Sequence, residues 1–105
     1  MPTFVFGEQT FTTDDDGFIQ EPERWDRALA EALARADGIT ALTEEHWRVL
    51  DYLRGYWIEY DSAPMVRRLV KATGVPLQRI YALFPAGPAQ GACKIAGLPK
   101  PTGCV

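Results

Sequence analysis

Thr43-Glu-Glu-His-Trp-Arg-Val-Leu-Asp-Tyr-Leu-Arg-Gly-Tyr-Trp-Ile-Glu-Tyr60 decides the fold class. Thr43 is a good N-cap, and Trp47, Leu50, Leu53, Trp57 and Tyr60 recur at helical spacing along one face. A helix of this length with an apolar stripe needs neighbours to cover it, and the flanking sequence supplies them. Upstream, Trp25, Ala28, Leu29, Ala32, Leu33 and Ala36 make a second stripe, with Pro22 near its start and Gly38 past its end. Downstream, Ser62-Ala-Pro64 opens a shorter helix carrying Val66, Leu69 and Val70, closed by Gly74. Val75-Pro76 leads into a fourth helix with Leu77, Ile80, Tyr81, Leu83 and Phe84, stopped by Pro85. Gly87-Pro88 opens a fifth, with Ala89, Ala92, Cys93 and Ala96 and a closing Gly97.

At the N-terminus, Thr3-Phe-Val-Phe6 and Gln9-Thr-Phe-Thr12 are short β-prone runs separated by Gly7-Glu8, the spacing of a two-residue hairpin. Asp14, Asp15, Asp16 and Gly17 then read as a solvated turn rather than a metal site. The chain is therefore expected to be α+β but mainly α. About five helices form one domain, with a hairpin over 1–13, a helical bundle over 21–96 and a mobile C-terminal arm over 97–105.

At 105 residues one core is expected, and an apolar content of 47% argues against disorder. The net charge of −3 disfavours a whole-surface nucleic-acid binder. No run approaches the roughly 20 apolar residues of a membrane span. The opening Met-Pro-Thr-Phe lacks the pattern of a signal peptide, so a cytosolic protein is expected; a monomer is expected separately, without a sequence feature that settles it. In a reducing compartment paired cysteines are more often redox, catalytic or metal-binding than structural.

Both cysteines lie in Cys93-Lys-Ile-Ala-Gly-Leu-Pro-Lys-Pro-Thr-Gly-Cys104-Val105. Its Gly and Pro residues oppose helix and strand alike, which puts Cys104 on an exposed arm where a thiol serves reactivity rather than packing. Cys93 falls on the small-residue face of the fifth helix, a position that alone suits a buried filler. The arm from Gly97 to Cys104 can reach roughly 26–29 Å. A Cys93–Cys104 bond would close a loop worth roughly 2.8 kcal/mol if unstrained. The spacing is not CxxC, and two cysteines with the lone His46 make a poor metal set. His46 is expected to be satisfied by hydrogen bonds at its helix start. The thiolate fraction of Cys104 is opposed by the terminal carboxylate and favoured by Lys94 or Lys100.

The run Leu83-Phe-Pro-Ala-Gly-Pro-Ala89 followed by Cys93 to Val105 closely resembles the DsrC/TusE family of sulfur carriers. Leu42-Thr-Glu-Glu-His-Trp47, Tyr52-Leu-Arg-Gly-Tyr56, Pro64-Met-Val-Arg-Arg-Leu-Val-Lys71, Asp16-Gly-Phe18 and Trp25 extend the likeness over nearly the whole chain. The resemblance implies an orthogonal helical bundle with an N-terminal hairpin and a protruding arm. It implies sulfur carried covalently as a persulfide on Cys104, with no separate cofactor and the protein acting as co-substrate more than enzyme.

Members resembling TusE have only the penultimate cysteine and relay sulfur toward tRNA thiolation. Members resembling DsrC have a second thiol at the position of Cys93 and cycle through disulfide or trisulfide forms. The implied partners are sulfurtransferase donors and dissimilatory sulfite reductase or a related sulfur-metabolism complex. Arg67, Arg68, Lys71, Lys94 and Lys100 are expected to form an electropositive cradle for the arm and for anionic sulfur. One departure stands out: the nine residues between Lys71 and Tyr81 read as shorter than in familiar members.

Two other classes fit parts of the chain. The third and fourth helices resemble a helix-turn-helix, with Arg67, Arg68, Lys71 and Arg79 as phosphate contacts. A structural adaptor would use the arm only as a docking peptide.

Overall fold

The computed structural model describes residues 2–100. Strands β1 (Thr3–Phe6) and β2 (Gln9–Thr12) pair antiparallel with Phe6 opposite Gln9, so Gly7-Glu8 is the two-residue turn expected. Gly7 takes φ 61, which the first central position of a type II′ turn requires. The acidic run that follows is a local turn: Asp14 Oδ1 accepts from the amides of Asp16 and Phe18 at 2.9 Å. A bridge between Thr13 and Ile19 then brings Phe18 and Ile19 into the core beside Phe11.

The first helix begins later than its stripe suggests. Pro22–Arg24 is a single 3-10 turn, and α1 runs over Arg27–Ala36. Asp26 is the N-cap, its side chain accepting from the Leu29 amide at 2.8 Å. That cap satisfies an otherwise orphaned donor, and it leaves Trp25 outside the helix in extended conformation. The buried face is Leu29, Ala30, Leu33 and Ala34, while Ala28 and Ala36 are exposed.

Helix α2 (Glu44–Tyr60) starts on Thr43 as expected and buries His46, Val49, Leu50 and Leu53. Trp47 and Trp57 pack partly against the core, but Tyr60 is exposed. Helix α3 (Val66–Thr73) buries Leu69 and ends at Gly74 with φ 72. Helix α4 (Leu77–Leu83) buries Ile80 and Leu83, whereas Leu77 and Tyr81, expected inside, face outward. Two helical turns expose most of their circumference when only one face meets the core.

The fifth helix is not α over most of its length, turning α at its end, over Lys94 and Ile95. Pro88–Cys93 is a π-helix, a form found mostly as short insertions and often at functional sites. The mainly helical architecture with an N-terminal hairpin is thus as expected. The arm is different at its base: Gly97 and Leu98 are buried, so the chain is anchored through Leu98 before it leaves the core.

Candidate functional site

Cys93 is the last residue of the π-helix and has no exposed surface. It shares the core with Ala92, Ile95, Ala96 and Leu98, all equally sealed. Burial disfavours the thiolate, and the Cys93 thiol is pushed up from its ordinary 9.0 to about 12. At neutral pH this sulfur is a protonated, apolar group. The small-residue face identified in the sequence is the reason it fits.

The helix end is closed by a Schellman motif. Leu98 N donates to Cys93 O at 3.1 Å and Gly97 N to Lys94 O at 3.0 Å, with Gly97 at φ 72. Ala96 N donates to Ala92 O at 2.9 Å. Two carbonyls remain, and side chains from distant elements take them. Trp25 Nε1 donates to Ile95 O at 2.9 Å, and Arg54 Nη1 donates to Ala96 O at 3.2 Å. Every carbonyl from Ala92 to Ala96 therefore has a donor. Trp25 lies so close that a Cβ on Gly97 would sit 2.3 Å from its Cδ1.

Arg54 holds this place without a carboxylate partner among the described residues. Its guanidinium lies 4.6 Å from the Trp25 ring centroid and 5.4 Å from that of Trp57. Two aromatic faces stand in for the missing anion, and partial burial draws its proton affinity down. Sequence reading missed Arg54, although a signal existed. It lies four residues after Leu50 and three before Trp57, a charge set on an apolar stripe.

Lys94 pairs with Asp37 at 2.9 Å, both side chains mostly buried, and the second oxygen of Asp37 is buried without a partner. Lys100 pairs with Asp16. Both lysines thus flank the root of the tail, but each is neutralised by its own aspartate. Lys94 therefore brings little net charge to favour a thiolate. Arg67, Arg68 and Lys71 lie exposed on α3, with Arg68 over the Tyr56 ring. Arg79, the remaining helix-turn-helix candidate, forks onto Glu45.

His46 is satisfied at its helix start, its Nδ1 accepting from the Thr43 amide at 3.0 Å, and also across the core. Its Nε2, 2.9 Å from Leu83 O, then carries the proton and donates. No group of His, Cys, Asp and Glu suited to a metal occurs among the described residues. Cys104 lies outside the described residues.

The DsrC like protein family matches over residues 5–105. The dissimilatory-type sulfite reductase subunit gamma of Nitratidesulfovibrio vulgaris is 42% identical over 105 aligned positions, covering 100% of both chains. The sulfurtransferase TusE of Salmonella typhimurium is 40% identical over 108 positions, covering 96% of this chain and 98% of the relative. The crystal structure of the oxidized gamma-subunit of dissimilatory sulfite reductase (DsrC) from Archaeoglobus fulgidus superposes with a TM-score of 0.89. It is 49% identical to this chain and covers 99% of it and 100% of its own.

The alignment with the N. vulgaris subunit uses all 105 residues in 105 positions, so the Lys71–Tyr81 connection is not short by that comparison. The TusE alignment has more positions than this chain has residues. Matched along almost its full length in sequence and in fold, the chain belongs to the family of DsrC-like sulfur-carrier proteins.

Proposed function

We propose that this chain is a two-thiol sulfur carrier of the dissimilatory sulfite reductase type, taking sulfane sulfur on Cys104 and completing its cycle with Cys93. The observation that carries the reading is the setting of the second thiol. Cys93 is sealed on a capped helix whose chain runs on, through a root anchored at Leu98, into the tail that holds Cys104. The second thiol, Cys93, supports this role over a TusE-like relay.

The Cys104 thiolate attacks the outer sulfur of a donor persulfide, R–S–SH. The donor S–S bond breaks, R–S⁻ leaves, and Cys104 carries the sulfur as a persulfide. A Cys93 thiolate then attacks the Cys104 sulfur, forming the Cys93–Cys104 disulfide and expelling hydrosulfide. The two thiols are oxidised by two electrons and the sulfane sulfur is reduced to sulfide. A dithiol reductant returns both cysteines to thiols. A trisulfide instead requires sulfur two electrons more oxidised than sulfane, as a reductase centre working on sulfite would supply.

The second step cannot start from the closed helix, because a thiol held at about 12 supplies almost no thiolate at neutral pH. Cys93 has to gain water first. Sulfurtransferase donors and a sulfite reductase or related complex are the partners this chemistry calls for, and a reducing compartment suits it. No helix among the described residues is long and apolar enough to cross a membrane.

The test is intact mass after incubation with polysulfide or a persulfide-loaded sulfurtransferase. Wild type should gain a reducible sulfur mass that Cys104→Ser abolishes. Cys93→Ser should load sulfur but accumulate it without forming the internal disulfide. Turnover that survives Cys93→Ser would make the protein a TusE-like relay. Absence of any Cys104-dependent adduct would leave a docking module.

A further inference from the structure

The closure over Cys93 does not come from the fifth helix alone. Its last two free carbonyls, on Ile95 and Ala96, are bound by Trp25 before α1 and by Arg54 in the middle of α2. These are long-range contacts, 70 and 42 residues apart in sequence. Both donors belong to one stacked group, because the Arg54 guanidinium lies against the Trp25 ring as well as that of Trp57. Trp25 also occupies the space that a side chain at position 97 would need.

The two hydrogen bonds fall two and three residues beyond Cys93. Breaking them leaves the turn held only by its own backbone bonds, Leu98 N to Cys93 O and Gly97 N to Lys94 O, so the helix end becomes the least secured part of this segment. Trp25 and Arg54 are each only partly buried, so the group lies nearer the surface than the sealed Cys93.

We infer that Trp25 and Arg54 form a clasp on the Ile95 and Ala96 carbonyls and are positioning residues for the reaction of Cys93, setting how often that thiol is uncovered. Neither touches the sulfur chemistry. They act by fixing the end of the helix that bears Cys93. A partner or the tail itself reaches Cys93 when this clasp lets go, while the rest of the domain stays folded. The use assigned to this opening rests on the carrier reading; the opening itself does not.

The Cys104→Ser chain has a single thiol, so its reaction with an aromatic disulfide reagent at pH 8 reports exposure of Cys93 alone. Trp25→Phe keeps an aromatic ring and removes the indole N–H. Labelling should accelerate about three- to tenfold, the effect of one hydrogen bond. Arg54→Met keeps the stem but removes the donor and both cation–π contacts, and should accelerate it about tenfold or more. In both variants the rate should stay constant at low urea, as local opening requires. Val49→Ala, which weakens the buried core of α2, should leave that urea-independent rate at the parent value. Unchanged labelling in Arg54→Met and Trp25→Phe overturns the proposal. So does labelling that climbs with urea along the global unfolding curve in every variant. No sulfur donor enters this experiment, so failure of the carrier reading would appear only as failed loading of Cys104.

Discussion

Two short helices follow one another near the C-terminus and are held in different ways. Helix α4 has seven residues and buries two, Ile80 and Leu83. Its outer face is solvated, and Arg79 pairs with Glu45 there, raising the proton affinity of the arginine and lowering that of the carboxylate. The π-helix has six residues and buries four, Pro88, Gly91, Ala92 and Cys93, with no charged side chain. The turn that follows it is held by the Ile95 and Ala96 carbonyls, which Trp25 and Arg54 reach across to cap. A helix secured by one face tolerates change on the others. One secured by close approach has less to spare: only Gln90 is exposed and Ala89 half-buried.

The most severe way to break this contrast is to add a methyl group at Gly97. Gly97→Ala places a carbon 2.3 Å from Trp25 Cδ1 and forces a left-handed φ of 72 on alanine. Strain and displaced caps together should remove about 3 kcal/mol or more of unfolding free energy. Gly74→Ala is the matched control before α4, since it has the same φ but open space around it. It should lose only about 1 kcal/mol, from strain alone. Equal losses in urea titrations would mean that Trp25 yields freely, and the contrast would fail.

Of intermediate size is the effect of alkaline pH. The folded chain keeps the Cys93 proton up to about 12, whereas the unfolded chain releases it above the ordinary 9.0. The stabilisation from the buried neutral thiol is therefore complete below pH 9 and is lost as pH rises toward 12. The slope is about 1.4 kcal/mol per pH unit. Unfolding at pH 8, 9 and 10, with Cys104→Ser in both chains, should show this decline relative to Cys93→Ala. Parallel pH curves would mean the thiol is not sealed.

The smallest effect belongs to α4. Arg79→Ala breaks an exposed pair, and surface pairs contribute little. Its unfolding midpoint should fall within the scatter of repeated wild-type measurements. A clear loss would show that α4 depends on its outer face after all.

Legibility in the sequence followed the range of the interactions. Gly7-Glu8 and Thr43 were readable because a turn and a cap are decided within a few residues. The burial of Cys93 was readable from its small neighbours, but the size of the resulting shift was not, since desolvation depends on what the other helices bring. Trp25 misled because its spacing matches the stripe of α1, while Asp26 starts the helix one residue later. The π-form was invisible, as it adds one residue per turn to a segment too short to show a period. For the expected cradle, charge alone grouped Lys94 and Lys100 with the α3 basic residues, and only the fold supplies Asp37 and Asp16 to meet them. Arg54 was the reverse case, a charge in an apolar stripe whose partners are two indoles and a carbonyl far along the chain.

The anchor at Leu98 has a further consequence, for competition between reactions. Six peptide steps separate Leu98 from Cys104, so the tail thiol stays within roughly 20–22 Å of a fixed point on the core. A tether this short gives an effective concentration on the order of millimolar. Against micromolar protein, a Cys93 that is open even one part in a hundred competes with a second molecule for the same Cys104. The proportion of internal disulfide to Cys104-linked dimer during mild oxidation is then a clock for the helix end, and it runs without any partner present.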